Sequence, residues 1–170
     1  IEMARIVDRG IRESHFIDFK KLCIKEKEKV WAIYIDLYSI NDDGNLLDAF
    51  ALAALVALKN AKIPKYDEET EKVVYDEHTN HPIPLTKNMP FTMTIHKVGK
   101  NILLDPSADE EETSEARVTF SISEAGIHAI QKGEDKELTI DEMFEIIDFV
   151  EKKWKELYPK ISKMIEDKAK

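Results

Sequence analysis

From Trp31 to Tyr38 large apolar side chains fall at every second position, Trp31, Ile33, Ile35 and Leu37, with Ala32, Tyr34, Asp36 and Tyr38 between them. A period of two predicts a β-strand that buries one face, and aromatic and branched residues suit a pleated surface. Asn41-Asp42-Asp43-Gly44 then turns the chain. Gly44 can take a positive φ without a Cβ penalty, and Asn and Asp side chains bond nearby backbone groups. From Leu46 to Ile63 the composition changes to Ala and Leu, with Phe50, Leu52, Leu55, Val56 and Leu58 spread around most of the helical circumference. This predicts a helix buried on more than one side. Its alanines let neighbouring backbones approach, and Pro64, which lacks an amide donor, is expected to end it.

Ile1 to Ser14 reads as a helix with Met3, Ile6, Val7 and Ile11 on an apolar stripe. Arg5, Arg9 and Arg12, spaced by four and three, share a face roughly 10 Å long at about 1.5 Å per residue. Phe16 to Glu28 is a polar connection in which Leu22-Cys23-Ile24 is expected as a short strand. Lys65 to Lys87 reads as a charged surface hairpin around Val73-Val74-Tyr75. Within it His78 and His81 lack a second His or Cys pair and fit a surface hairpin better than a metal site. Phe91 to Val98 alternates again, and Gly99-Lys100 turns it into an antiparallel partner, Asn101 to Asp105. Val118 to Ile122 and Ile127 to Ile130 predict another strand pair. Thr139 with Glu142 three positions on forms a capping-box pattern. It opens a helix whose stripe of Met143, Ile147, Val150, Trp154, Leu157 and Ile161 advances by alternating steps of four and three. Pro159 is expected to bend or end that helix. Antiparallel runs separated by two long helices place the chain in the α+β class.

The 170 residues, 43% hydrophobic and 35% charged, suffice for a real core. No apolar run approaches the ~18 residues of a membrane span. Cys23 is the single cysteine, expected to be a small buried apolar residue. With no internal disulfide available and no targeting pattern, a reducing cytoplasm is the expected location. The net charge of −9 is the wrong sign for a free-standing nucleic-acid binder. Residues 1–30, however, hold eight Lys or Arg against six Asp or Glu, leaving −11 for the other 140. Contact with a polyanion is expected near the start.

Ile6-Val7-Asp8-Arg9-Gly10-Ile11-Arg12-Glu13-Ser14, the segment from Trp31 to Pro64, and Leu103-Leu104-Asp105-Pro106 together resemble the RNase PH-like family of phosphorolytic 3′→5′ exoribonucleases. Within it the chain looks most like the non-catalytic RNase PH-like subunits of archaeal exosomes. The resemblance runs from Ile1 to about Tyr158. Family members normally carry leading strands before the Arg-rich helix, so the chain is expected to be a fragment, or one that begins where that earlier part is absent. The resemblance implies an RNase PH-like α+β fold, a mixed sheet packed with helices. Residues 1–64 would close the first subdomain, and residues 65–170 would form the second, with a long C-terminal helix. It also implies a catalytic RNase PH-like partner in a six-membered ring of alternating subunits, exosome cap proteins and single-stranded RNA. No cofactor, metal or membrane is expected.

Phosphorolysis demands donors and cations that hold an attacking phosphate and stabilise the charge that grows as the bond breaks. In active members the turn before the buried helix carries a Gly-Thr-Arg or similar triplet for this purpose. Carried over residue by residue, that motif falls on Asn45, Leu46 and Leu47. The leucines have neither donor nor charge, and Asp48 beside them would repel phosphate. The family's carboxylate pair falls on Glu111 and Arg117, and an Arg neither accepts a proton nor ligates a cation. A degenerate site is therefore expected. Arg5, Arg9 and Arg12 have two readings: contact with RNA phosphates, which the resemblance favours, or a solvated face paired with Glu2, Asp8 and Glu13. The acidic loop from Asp109 to Glu115 is expected as a solvated turn. Core or subunit packing is expected of Trp31, Tyr34 and Tyr38, ahead of base stacking. Two rival functions stand beside the supporting subunit: a divergent phosphorolytic ribonuclease using Glu111, and a scaffold without RNA contact.

Overall fold

The structure, a computed structural model, describes residues 2–168, apart from the side chains of residues 75–78, 80 and 168. His78 falls among these, so the His78–His81 pair lies outside the described residues. Helix α1 spans Glu2–Glu13 and a 3-10 turn spans Phe19–Leu22. The short strands β1 (Cys23–Lys25) and β2 (Lys29–Val30) pair with each other. Helix α2 (Leu46–Asn60) leads into the antiparallel hairpin of β3 (Lys62–Asp67) and β4 (Lys72–Pro82). An antiparallel sheet in the order β6-β5-β7-β8 follows, built from β5 (Phe91–Val98), β6 (Asn101–Leu104), β7 (Ala116–Ser123) and β8 (Gly126–Gly133). Helix α3 (Ala108–Glu112) precedes β7, and α4 (Ile140–Lys168) closes the described chain.

The two faces of this sheet differ in chemistry. Met93, Ile95, Val118, Phe120 and Ile122 point to one face and pack with Ile146 and Val150 of α4. Alternating with them, Thr92, Thr94, His96, Thr119, Ser121 and Ser123 are also buried. This polar face lies under α1 and α2. A Cβ on Gly10 of α1 would stand 2.9 Å from Ser121 Oγ and force that hydroxyl aside, so glycine lets α1 lie close on the sheet. A second cluster joins Val7 and Ile11 of α1 to Ala51, Ala54, Leu55 and Leu58 of α2, and Ile165 near the end of α4 reaches it.

Several expectations are corrected. Trp31 to Tyr38 forms no strand: Trp31 N donates to Leu22 O at 2.9 Å, and residues 31–39 pair with no other strand among the described residues. The alternation survives as burial. Trp31, Ile33, Ile35 and Leu37 pack on the core, whereas Tyr34 and Tyr38 are more than four-fifths exposed, so these two are not core residues. Cys23 is exposed, not buried, because its strand is a short surface ribbon. Helix α2 ends at Asn60, before Pro64, which sits within β3. Pro159 does not end α4, which runs nine residues beyond it. The acidic loop is partly a helix, α3, because Ser107 and Glu110 form a capping box and carboxylates in a first turn complement the helix dipole. The capping box at Thr139 and Glu142 is present, with Thr139 N donating to Glu142 Oε2 at 2.8 Å and Glu142 N to Thr139 Oγ1 at 3.2 Å.

Candidate functional site

The turn before α2 stores its chain reversal in two residues of positive φ, Gly44 at 90° and Asn45 at 50°. Gly44 is required: a Cβ there would stand 2.5 Å from Pro106 O, and its amide donates to Asp42 Oδ1 at 3.1 Å. Asn45 tolerates the left-handed region better than most residues. Its side-chain amide donates to Asp105 Oδ1 at 2.9 Å and to Asp48 Oδ2 at 3.2 Å, which ties the turn to the end of β6. Asp105 itself has a φ of 60°.

The turn, α3 and β7 thereby meet. Leu46, Leu47, Glu111 and Arg117 line one pocket of about 280 Å³ together with Glu2, Met3 and Asp42. Asn45, Leu46 and Leu47 are thus brought to Glu111 and Arg117 across some sixty residues of sequence. The pocket's chemistry is unsuited to phosphate. The first turn of a helix presents unpaired amides and a positive dipole end that attract an anion. Here a carboxylate of the chain itself takes that place: Asn45 N donates to Glu111 Oε2 at 3.2 Å. Asp48, in the first turn of α2, accepts from Thr94 N at 2.9 Å and from Thr94 Oγ1 at 2.6 Å. Burial raises the pKa of Asp48 to about 6, against the opposing hydrogen bonds from Thr94 and Asn45. Thr94 Oγ1 lies 3.1 Å from Thr119 Oγ1, so the network continues across the sheet.

Arg117 does not face this pocket as a free cation. Its Nη2 donates to Glu2 Oε1 at 2.7 Å, and its Nη1 stands 3.9 Å from Glu134 Oε1. His96, opposite Arg117 in the β5–β7 register, is 1% exposed, and its Nε2 lies 3.7 Å from Glu111 Oε1. Burial lowers its pKa, with Glu111 pulling the other way, so its ring is neutral at neutral pH. Among the described residues no group of His, Cys, Asp and Glu is arranged to hold a metal ion.

The three arginines of α1 divide. Arg12 is paired with Asp8 at 3.5 Å and with Glu13 at 3.4 Å. Arg9 is half-buried and its Nη1 donates to Gln131 Oε1 at 3.3 Å. Arg5 is exposed and makes no ion pair or hydrogen bond among the described residues. Sequence reasoning missed His96, Thr94, Gln131 and the pairing of Arg117. The alternation Thr92, Thr94, His96 was the available signal for a buried polar face.

Two family models match the chain: the 3′ exoribonuclease family, domain 1, over residues 1–64, and domain 2 of the same family over residues 88–153. The chain belongs to the RNase PH family of 3′ exoribonucleases. It is 43% identical over 159 residues to the exosome complex component Rrp42 of Methanosarcina acetivorans, a match covering 92% of this chain and 56% of that protein. The exosome complex component Rrp42 of Thermococcus gammatolerans is 42% identical over 161 residues, covering 92% of this chain and 58% of that protein. A chain of the Archaeoglobus fulgidus exosome, solved with RNA bound to the active site, superposes with a TM-score of 0.77 at 37% identity, covering 92% of this chain and 60% of that one. A chain of an archaeal exosome core gives a TM-score of 0.75 at 38% identity, with 86% and 57% covered. The RNase PH two-domain fold follows from these matches. The chain spans less than two-thirds of the length of the curated relatives it matches.

Proposed function

We propose that this chain is part of a non-catalytic, RNA-contacting subunit of an archaeal exosome. In this reading residues 1–64 complete the first RNase PH-like domain and residues 65–170 form the second. The subunit braces the active site of a catalytic RNase PH-like partner and lends it cations along the RNA path. The observation that carries the non-catalytic reading is the hydrogen bond from Asn45 N to Glu111. It puts the chain's own negative charge at the end of α2, where phosphorolysis needs inorganic phosphate, and Leu46 and Leu47 beside it offer no side-chain donor.

The RNA role falls first on Arg5, which has no carboxylate partner among the described residues, and next on Arg9, whose hydrogen-bond partner there is the neutral Gln131. Arg12 contributes least, since Asp8 and Glu13 already neutralise it. A ring of alternating subunits, cap proteins at its pore and a cytoplasmic location complete the proposal.

The test is phosphate-dependent shortening of a single-stranded RNA by the full-length protein, its catalytic partner, and the two mixed. Degradation by the mixture alone, or far above the partner alone, supports the supporting role; activity of this protein alone refutes it and favours the divergent enzyme. In the mixture, Arg5→Ala with Arg9→Ala should leave assembly intact and reduce the slope of log affinity against log salt by about 1.4, the expectation for two single-strand phosphate contacts. An unchanged slope and affinity would favour a scaffold without RNA contact.

A further inference from the structure

Arg117 stands on β7 with a side chain only 12% exposed. A cation so enclosed needs carboxylates near it, and two flank it: Glu2 at 2.7 Å, in the first turn of α1, and Glu134 at 3.9 Å, just past β8. Gly133 faces Arg117 across the β7–β8 register. A Cβ on Gly133 would collide with Arg117 Nη2 and come within 2.9 Å of its Nε and 3.0 Å of its Cζ, so the guanidinium sits close over bare backbone. Two residues back along β8, Gln131 accepts from Arg9. Helix α1 is therefore moored to the sheet at two points, Glu2 on Arg117 of β7 and Arg9 on Gln131 of the edge strand β8, and Arg5 lies between them.

We propose that Arg117 is a positioning residue: by holding Glu2 it fixes that stretch of α1 on β7 and β8 and so sets where Arg5 and Arg9 stand on the RNA path. This rests on the RNA-contact reading above.

The experiment uses the full-length protein assembled with its catalytic partner, and three variants. Arg117→Gln removes the cation. Gly133→Ala keeps it and displaces the guanidinium. Arg117→Lys retains a point charge able to reach Glu2. Hydrogen exchange at the amides of residues 6–9, which bond to the first-turn carbonyls, should quicken in the Gln and Ala variants and return toward wild type in the Lys variant. Unchanged protection in both Gln and Ala variants overturns the proposal. Affinity for a single-stranded RNA should fall about twofold to fivefold in Arg117→Gln, the range for a partly exposed ion pair. Added to Arg5→Ala with Arg9→Ala, the same change should produce no further loss. An equal loss in both backgrounds would mean that Arg117 acts independently of the helix, and overturns the proposal. If the paired Arg variant weakens binding while Arg117→Gln does not, the positioning role alone fails. If the paired Arg variant has no effect, the RNA reading fails and the positioning role with it.

Discussion

Replacing Asp48 by Asn should stabilise the protein at neutral pH and change little at about pH 4, although it alters a group at the centre of a half-buried network. Asp48 is lodged against β5, where its two oxygens accept from Thr94 N, Thr94 Oγ1 and Asn45 Nδ2. Burial raises its pKa from 3.8 to about 6. Between those values the folded state keeps a proton that the unfolded chain has released, so stability falls as pH rises through the interval. At about 1.4 kcal/mol per pH unit the accumulated loss is ~3 kcal/mol once Asp48 is ionised in both states. Asn carries no charge to bury, and its bonds can all be satisfied. Its Oδ1 accepts from Thr94 N, while its Nδ2 donates to Thr94 Oγ1, whose own hydrogen turns to Thr119 Oγ1, 3.1 Å away. Denaturant unfolding of both proteins from about pH 4 to pH 8 should show the gap between them opening with pH and levelling off above ~7. Asp48→Ala should be less stable than Asp48→Asn at every pH, by about 2 kcal/mol or more, because it strands the Thr94 amide. Parallel wild-type and Asn curves would show that burying the Asp48 charge does not set this pH dependence.

Gly44→Ala should cost about 2 kcal/mol or more and loosen the turn before α2, since it combines a positive φ with a clash on Pro106 O; thermal unfolding checks it. Phe120→Ala, at a fully buried position between β7 and α4, should cost about 3 to 5 kcal/mol by denaturant unfolding. Glu142, held down to a pKa of about 2 by Lys97 and the cap bonds from Thr139, contributes stability above the usual 4.5 that is lost as pH falls toward 2. Glu142→Gln should flatten that acid limb of a melting-temperature profile and leave the limb above pH 7 unchanged.

Local pattern decided much of this protein. The stripe of α1, the Ala- and Leu-rich α2, the capping box of α4 and the strand pairs around Gly99 and between β7 and β8 depend on residues a few positions apart, and each forms on the segment its periodicity marks, although α2 stops at Asn60, short of Pro64. The family was legible as well, from Ile6 to Ser14, Trp31 to Pro64 and Leu103 to Pro106, and the departures at Leu46, Leu47 and Arg117 are read without coordinates. Tertiary structure decided what those positions do. Alternation from Trp31 to Tyr38 specifies which side chains face the core, yet a strand also needs backbone partners, and periodicity does not supply them. The same limit hid the polar face of the sheet: whether Thr92, Thr94 and His96 meet water or a helix depends on what lies over them. That Glu111 fills the end of α2, and that Arg117 holds Glu2 and not a ligand, are facts about groups more than sixty residues apart. Their energies depend on burial and distance, and both quantities exist only once the chain has folded.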